Sequence, residues 1–247
     1  MTPSFVIDAL PERGLFYRDT HAIVVVDVFR ATTVIVTALS CGHRIYPVAT
    51  LVEAMNVAGG LKNPVFAGEQ AGVKPDGFDL NNSPAAVASM GGSDPIVLLS
   101  SAGTQLLAHA RGASDIYVAC LRNFTATATH IASNVGRVAL IGAGTRGQPR
   151  PEDQMVCAWI GEQLLQRGYQ PENDTTVDEV EAWRGADPRA ILDSPSVGYL
   201  RETRQLADID FVLGHVDDVD AIAIYNGQQV TLLSAADQER AGLAQAT

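Results

Sequence analysis

The sequence is poor in cysteine, in basic side chains and in long apolar runs, and each shortage argues against a class of protein. Cys41, Cys120 and Cys157 are an odd, scattered set without the spacing of a zinc site or a disulfide framework. Such cysteines fit reduced core thiols in a cytoplasmic protein. Lysine and arginine number 17 against 28 aspartates and glutamates, for a net charge of −11. This balance argues against nucleic acid as a partner, because that footprint is basic. It leaves room for an anionic ligand at a site that is locally positive or bridged by metal. No apolar run approaches the ~18–20 residues of a membrane span, so no membrane partner is expected. The opening "MTPSFVIDALPERG" has no basic segment followed by an apolar stretch, the pattern of a secretory signal.

What is present is a large apolar fraction arranged in alternation. Hydrophobic residues make up 47% of the chain, enough to bury a full core. Apolar, β-branched runs at 22–28, 44–48, 64–68, 95–100, 115–119 and 138–142 read as strands. Between them lie helical patterns such as "ATTVIVTALSCG", "GTQLLAHARG" and "NFTATATHIASN". Near-continuous hydrophobic strands separated by helices predict an α/β fold, a mostly parallel sheet with helices on both faces. From about residue 170 the chain turns polar, and 170–207 reads as a helical C-terminal appendage. Two further strand patterns, "AIAIY" and "QVTLL", return it to the sheet. Residues 1–247 are therefore expected to form a single domain.

In open α/β sheets, ligands bind beyond the carboxyl ends of the strands. Here those ends deliver a chemically coherent set. The first strand candidate leads to Asp27, Arg30, Thr32 and Thr33. The third leads to Glu69 and a loop carrying Lys74, Asp79, Asn81 and Asn82. The fourth leads to Ser101, Gly103 and Thr104, the fifth to Arg122 and Asn123, and the sixth to Arg146, Glu152 and Asp153. Carboxylates suit a hard divalent cation such as Mg²⁺, whereas arginines and helix N-termini suit phosphate or sulfonate oxygens. Several of these residues have simpler readings as helix caps or turn residues. It is the joint pattern that points to an oxyanion site.

The stretch "LIGAGTRGQPRPED" (140–153) contains G-x-G-x-x-G at Gly142, Gly144 and Gly147, the spacing of a dinucleotide fingerprint. That fingerprint needs a helix beginning within the glycine turn. Pro149 and Pro151 delay the helix, which is expected to start near Pro151 with Glu152 and Asp153 in its first turn. Acids there suit a cation and repel a pyrophosphate.

Five blocks together carry a resemblance: "VVDVFRATTVIVTAL" (25–39), "GEQAGVKPDGFDLNNSP" (68–84), "SSAGT" (100–104), "RNFTATA" (122–128) and "GAGTRGQPRPED" (142–153). In this order they resemble the 2-phosphosulfolactate phosphatase family, Mg²⁺-dependent hydrolases associated with coenzyme M biosynthesis. The family tends to have Leu at the place of Phe29 and Asn at that of Ala102, and more often "GNSP" where Asn81 precedes "NSP" here. The resemblance implies a phosphoric monoester hydrolase that converts 2-phosphosulfolactate, or a related small phosphorylated hydroxy acid, to 3-sulfolactate and phosphate. Beside it, the residues supply a mechanism with Asp27, Arg30 and Glu69 as catalytic residues, and Asp27, Glu69 and Asp153, together with Glu152 and Asp79, as Mg²⁺ ligands. Substrate would be bound by Thr32, Thr33, Ser101, Gly103, Thr104, Asn123 and Arg146, with Arg146 or Lys74 recognising the sulfonate or carboxylate. A homo-oligomer is compatible with this reading. The alternatives are a non-catalytic protein that binds a small anion on the same scaffold, and a nucleotide-dependent oxidoreductase.

Overall fold

The computed structural model describes residues 2–234. In chain order the elements are β1 (Ser4–Ala9), α1 (Arg13–Tyr17), β2 (Ala22–Val26), α2 (Ala31–Ser40), β3 (Ile45–Val48), α3 (Leu51–Ala58), β4 (Val65–Gly68), α4 (Pro84–Ala88), β5 (Ile96–Leu99) and α5 (Gly103–Ala110). There follow β6 (Ile116–Ala119), α6 (Phe124–Asn134), β7 (Arg137–Gly142), α7 (Pro151–Gln166), β8 (Gln170–Pro171), α8 (Asp174–Trp183), a 3₁₀ segment (Pro188–Asp193), α9 (Pro195–Glu202), α10 (Leu206–Gly214), β9 (Ala221–Tyr225) and β10 (Val230–Ser234). The fold is α/β, as the alternation of apolar strands and helices predicts. All six runs expected as strands before residue 143 are present. A seventh, β1, went unrecognised between Pro3 and Pro11.

The ten strands of the described residues belong to one sheet, in the order β4-β5-β3-β10-β9-β6-β2-β7-β1-β8. β6-β2-β7-β1-β8 form one parallel block and β4-β5-β3 another. The hairpin β9–β10 sits between them, antiparallel to β6 on one side and to β3 on the other. The returning C-terminal strands thus lie in the middle of the sheet. The contact of β10 with β3 is a single residue pair, Val230 with Ile45.

Side-chain alternation shows why the strands are apolar almost throughout. Ile23 and Val25 of β2 enter one core with Val34 and Ile35 of α2 and Leu106 and Leu107 of α5. Val24 and Val26 enter another, with Met155, Val156 and Ile160 of α7 and Ile131 of α6. Both faces of the strand are therefore covered, and period-two alternation sends successive side chains into different cores. Burying each such aliphatic side chain stabilises the fold by roughly 1.5–3 kcal/mol. In α2, every residue from Ala31 to Ala38 is buried, so this helix is enclosed on all sides. Its enclosure fixes the β2–α2 turn, which carries the first cluster of site residues.

Candidate functional site

Asp27 follows β2 directly, and its Oδ2 accepts a hydrogen bond from Gly103 N at the start of α5, 2.9 Å away. The carboxyl ends of the two parallel blocks therefore meet at this residue. A Cβ on Gly103 would lie 2.5 Å from that same Oδ2, so only glycine permits the approach. The turn itself is held by its threonines. Thr32 Oγ1 accepts from Asp27 N at 2.9 Å and donates to Asp27 O at 2.8 Å, and Thr33 Oγ1 donates to Val28 O at 2.8 Å. Thr104 does the same at the next turn, bonded to Ser100 N and O at 3.0 and 2.8 Å. Asn123 closes the end of β6 by accepting from Cys120 N and donating to Val118 O. These side chains hold the strand ends in shape with all of those bonds made locally.

The acids are arranged in two sets. Glu69 organises the "SSAGT" turn: its Oε1 accepts from Ser101 N at 2.6 Å, and its Oε2 accepts from Ser101 Oγ at 3.0 Å and from Gly72 N. Two of the turn's N–H groups, those of Ser101 and Gly103, are thus held by the chain's own carboxylates rather than by an outside anion. Asp27, Glu152 and Asp153 form the second set, exposed by 6%, 1% and 2% respectively. Asp153 Oδ1 accepts from Val28 N at 2.8 Å and Oδ2 from Gly144 N at 3.0 Å. Burial pushes the Asp27 carboxyl up to about 7, and the charges of Glu69 and Glu152 push the same way. Burial likewise raises Asp153, with help from Asp27 and Glu152, and raises Glu152. Glu152 Oε2 is buried without a hydrogen-bond partner. With Asp27 and Asp153 pushed up by neighbouring acids as well as by burial, and one Glu152 oxygen buried without a hydrogen-bond partner, these three carboxyls make a place suited to a cation. Among the described residues, no three His, Cys, Asp or Glu side chains close into a ready metal cage. A divalent ion that keeps several waters and takes substrate oxygens, as Mg²⁺ does, requires no such cage.

A cavity of about 640 Å³ opens over this edge, lined by Asp27, Arg30, Glu69, Ser101, Arg146 and Arg150 among others. Asp27 is the member of the buried acid cluster that reaches it; Glu152 and Asp153 lie behind. Asp79 and Lys74 are outside the lining. Asp79 Oδ2 accepts from Phe66 N at 2.8 Å, and Lys74 Nζ donates to Phe78 O at 2.7 Å. Arg30 lines the cavity, but its Nη1 donates to Asp208 Oδ2 at 2.6 Å and to Gln205 Oε1, and its Nη2 to Asn81 Oδ1 at 3.4 Å.

The far wall comes from the C-terminal appendage. Pro195, Ser196, Gly198, Tyr199, Leu200 and Glu202 of α9 line the cavity. Tyr199 Oη donates to Gly72 O at 2.5 Å, tying α9 to the loop after β4. Asp208 also accepts from Ser83 Oγ at 2.6 Å, tying α10 to the cap of α4. Sequence reasoning passed over Arg150, Tyr199, Gln205 and Asp208. The only local signals were the helix-starting Ser194-Pro195 pair and the arginine before Pro151.

The glycine stretch is not built as a pyrophosphate cradle. α7 begins at Pro151, after all three glycines. Gly142 is needed because a Cβ would lie 2.8 Å from Gln154 Oε1 and 2.9 Å from Asp153 Cβ. The Gly144 N–H that a pyrophosphate would use is taken by Asp153. Calorimetric titration is accordingly expected to show no NAD or NADP binding at sub-millimolar concentration; binding there would sink this account of the loop.

An α/β scaffold gathers buried acids and several arginines at one cavity, and comparison with known proteins places it among the phosphoric monoester hydrolases. The chain belongs to the 2-phosphosulpholactate phosphatase family, whose profile matches residues 9–228. It is 34% identical over 189 residues to a probable 2-phosphosulfolactate phosphatase of Carboxydothermus hydrogenoformans, covering 75% of this chain and 79% of that one. A Clostridium tetani protein of the same description is 36% identical over 142 residues, 56% of this chain and 61% of its own. One from Clostridium botulinum, also so described, is 25% identical over 224 residues, 85% of this chain and 91% of its own.

Proposed function

We propose that this protein hydrolyses 2-phosphosulfolactate, or a closely related phosphorylated hydroxy acid, to 3-sulfolactate and phosphate with Mg²⁺ as cofactor. The observation that carries the reading is Asp27, a buried carboxyl raised to about 7 by burial and by neighbouring acids, at the floor of a cavity that arginines also line. Asp27, with Glu152 and Asp153 behind it, would hold the cation. When bound, Mg²⁺ supplies neutralisation of phosphoryl oxygens and a lowered pKa for a coordinated water.

The remaining work belongs to the chain. Gly103 N and the start of α5 fix the Asp27 carboxylate, and Asp153 is fixed by Val28 N and Gly144 N. Glu69 sets the Ser101 turn, which lines the cavity. Arg30, anchored on Asp208, presents positive charge at the same wall. α9 supplies the opposite wall of the cavity.

A phosphate-release assay over phosphorylated hydroxy acids tests the proposal. Turnover of 2-phosphosulfolactate with Mg²⁺ is expected, with at least a hundred-fold loss in EDTA and recovery on adding the metal back. Mg²⁺ is also expected to raise the melting temperature, because a cation relieves the repulsion among the three acids. Full activity in EDTA would overturn the metal's role, and failure to release phosphate from any such acid would overturn the reaction.

A further inference from the structure

Among the described residues, three arginines line the cavity, and only Arg30 is held in an ion pair. Arg30 is paired with Asp208, both side chains being almost completely buried. Arg146 and Arg150 line the same cavity, and no hydrogen bond or ion pair joins either side chain to another described residue. Arg150 Nε is shielded from solvent and has no partner. A buried donor on a cation is costly to leave unsatisfied, so its place in a cavity wall points to a ligand that supplies the acceptor.

A second, independent observation points the same way. Asn82 lines this cavity, is only 3% exposed, and its Oδ1 also has no partner. Two buried polar atoms without partners, on two residues that line the same cavity, point to a polar ligand bound there.

The position of Arg150 narrows the ligand. It is the residue that caps α7, so it lies within one turn of Glu152 and Asp153. The acid cluster repels a bare anion, and a phosphoryl group bound there depends on the cation. The Arg150 charge acts on Glu152, yet the side chain makes no hydrogen bond to that cluster, which leaves its donors for a different oxyanion. The planar fork of a guanidinium matches a carboxylate or a sulfonate through two parallel hydrogen bonds.

We infer that Arg150, with Arg146 along the same wall, binds the second anionic group of the substrate, a carboxylate or sulfonate on the carbon skeleton that bears the phosphate. It thereby selects phosphorylated acids over neutral phosphate esters. Arg150 is a specificity residue, and Arg30 is chiefly the anchor of α10. This inference rests on the phosphatase reading for the identity of the first anion.

Calorimetric titration in Mg²⁺ with 3-sulfolactate, lactate, 2-hydroxyethanesulfonate and inorganic phosphate reads the subsite without turnover. Arg150→Gln is expected to weaken 3-sulfolactate binding about ten- to a hundred-fold. Arg150→Lys keeps the charge and loses the fork, and an intermediate loss is expected. A parallel loss with lactate assigns Arg150 to the carboxylate, and one with 2-hydroxyethanesulfonate assigns it to the sulfonate. Thermal melting of both variants checks the fold, and the Lys variant decides the matter if the Gln variant does not fold. Equal 3-sulfolactate affinity in wild type and variant overturns the inference, as does a ten-fold loss for inorganic phosphate with none for the acids. No binding of 3-sulfolactate by the wild type also overturns it. If the acid binds through Arg150 and the wild type still releases no phosphate from any ester, the hydrolytic reading falls and the anion subsite stands.

Discussion

Asp27→Asn is expected to lower kcat/KM for phosphate release on the order of 10³-fold, about 4 kcal/mol of transition-state stabilisation. The amide keeps the shape and can still accept from Gly103 N through its oxygen, but it cannot carry the negative charge a cation needs. The same change is expected to stabilise the metal-free protein by about 1–2 kcal/mol at pH 8, a trade of stability against function. The pH dependence has a definite sign. The Asp27 carboxyl is raised from 3.8 to about 7 in the folded state, chiefly by burial. The folded protein therefore holds a proton that the unfolded chain has lost between those values, and stability falls as pH rises through that window. Denaturant unfolding without metal at pH 5, 6, 7 and 8 should show this decline in the wild type. In Asp27→Asn it should be visibly smaller. A variant that turns over substrate normally, or an equally steep decline in both proteins, would count against the acid cluster as the working centre.

Removing Asp208 is expected to cost roughly 3–5 kcal/mol of stability, because it leaves the Arg30 guanidinium buried and unpaired. The pair is 2.6 Å long, with side-chain exposures of 4% and 3%. Asp208 also accepts from Ser83 Oγ and Ala85 N, so Asp208→Ala removes the tie between α10 and the start of α4 as well. For a domain of this size the melting temperature should fall by roughly 10 °C. A double variant, Arg30→Met with Asp208→Leu, should recover much of the loss, since apolar groups of similar volume carry no unpaired charge. Urea unfolding of the three proteins checks this. A cost below about 1 kcal/mol for Asp208→Ala would mean that Arg30 finds another partner or water.

The fold was legible wherever local pattern and final environment agree. β2, β5 and β6 are buried on both faces, so they read as unbroken apolar runs. Pro151 announced the start of α7, because proline is well placed in a helix's first turn. β1 was missed because it is flanked by prolines and ends in the polar Asp8 and small Ala9. At the site, the strand-end rule picked out Asp27 and Glu69, which directly follow β2 and β4, and Ser101, Arg146 and Asp153, which lie in the segments after β5 and β7. It could not show that Thr32, Thr33, Thr104 and Asn123 spend their polar atoms on neighbouring backbone. It was also silent on Tyr199 and Asp208, which reach the cavity region from more than a hundred residues further along the chain. Contacts at that separation leave no periodicity and no motif; only packing creates them.

The central place of β9 and β10 bears on how the chain acquires its structure during synthesis. The two parallel blocks are complete in sequence before residue 172, yet in the sheet they touch only through a hairpin that begins at Ala221. Until that hairpin leaves the ribosome, β6 and β3 each present an open edge of unsatisfied N–H and C=O groups, which are templates for pairing with another chain. Joining them requires contacts between residues far apart in sequence, the kind that slows folding. A nascent chain paused before residue 221 would thus be two unfinished half-sheets and a natural client for chaperones, and it becomes a single sheet only when its last described strands slot in between.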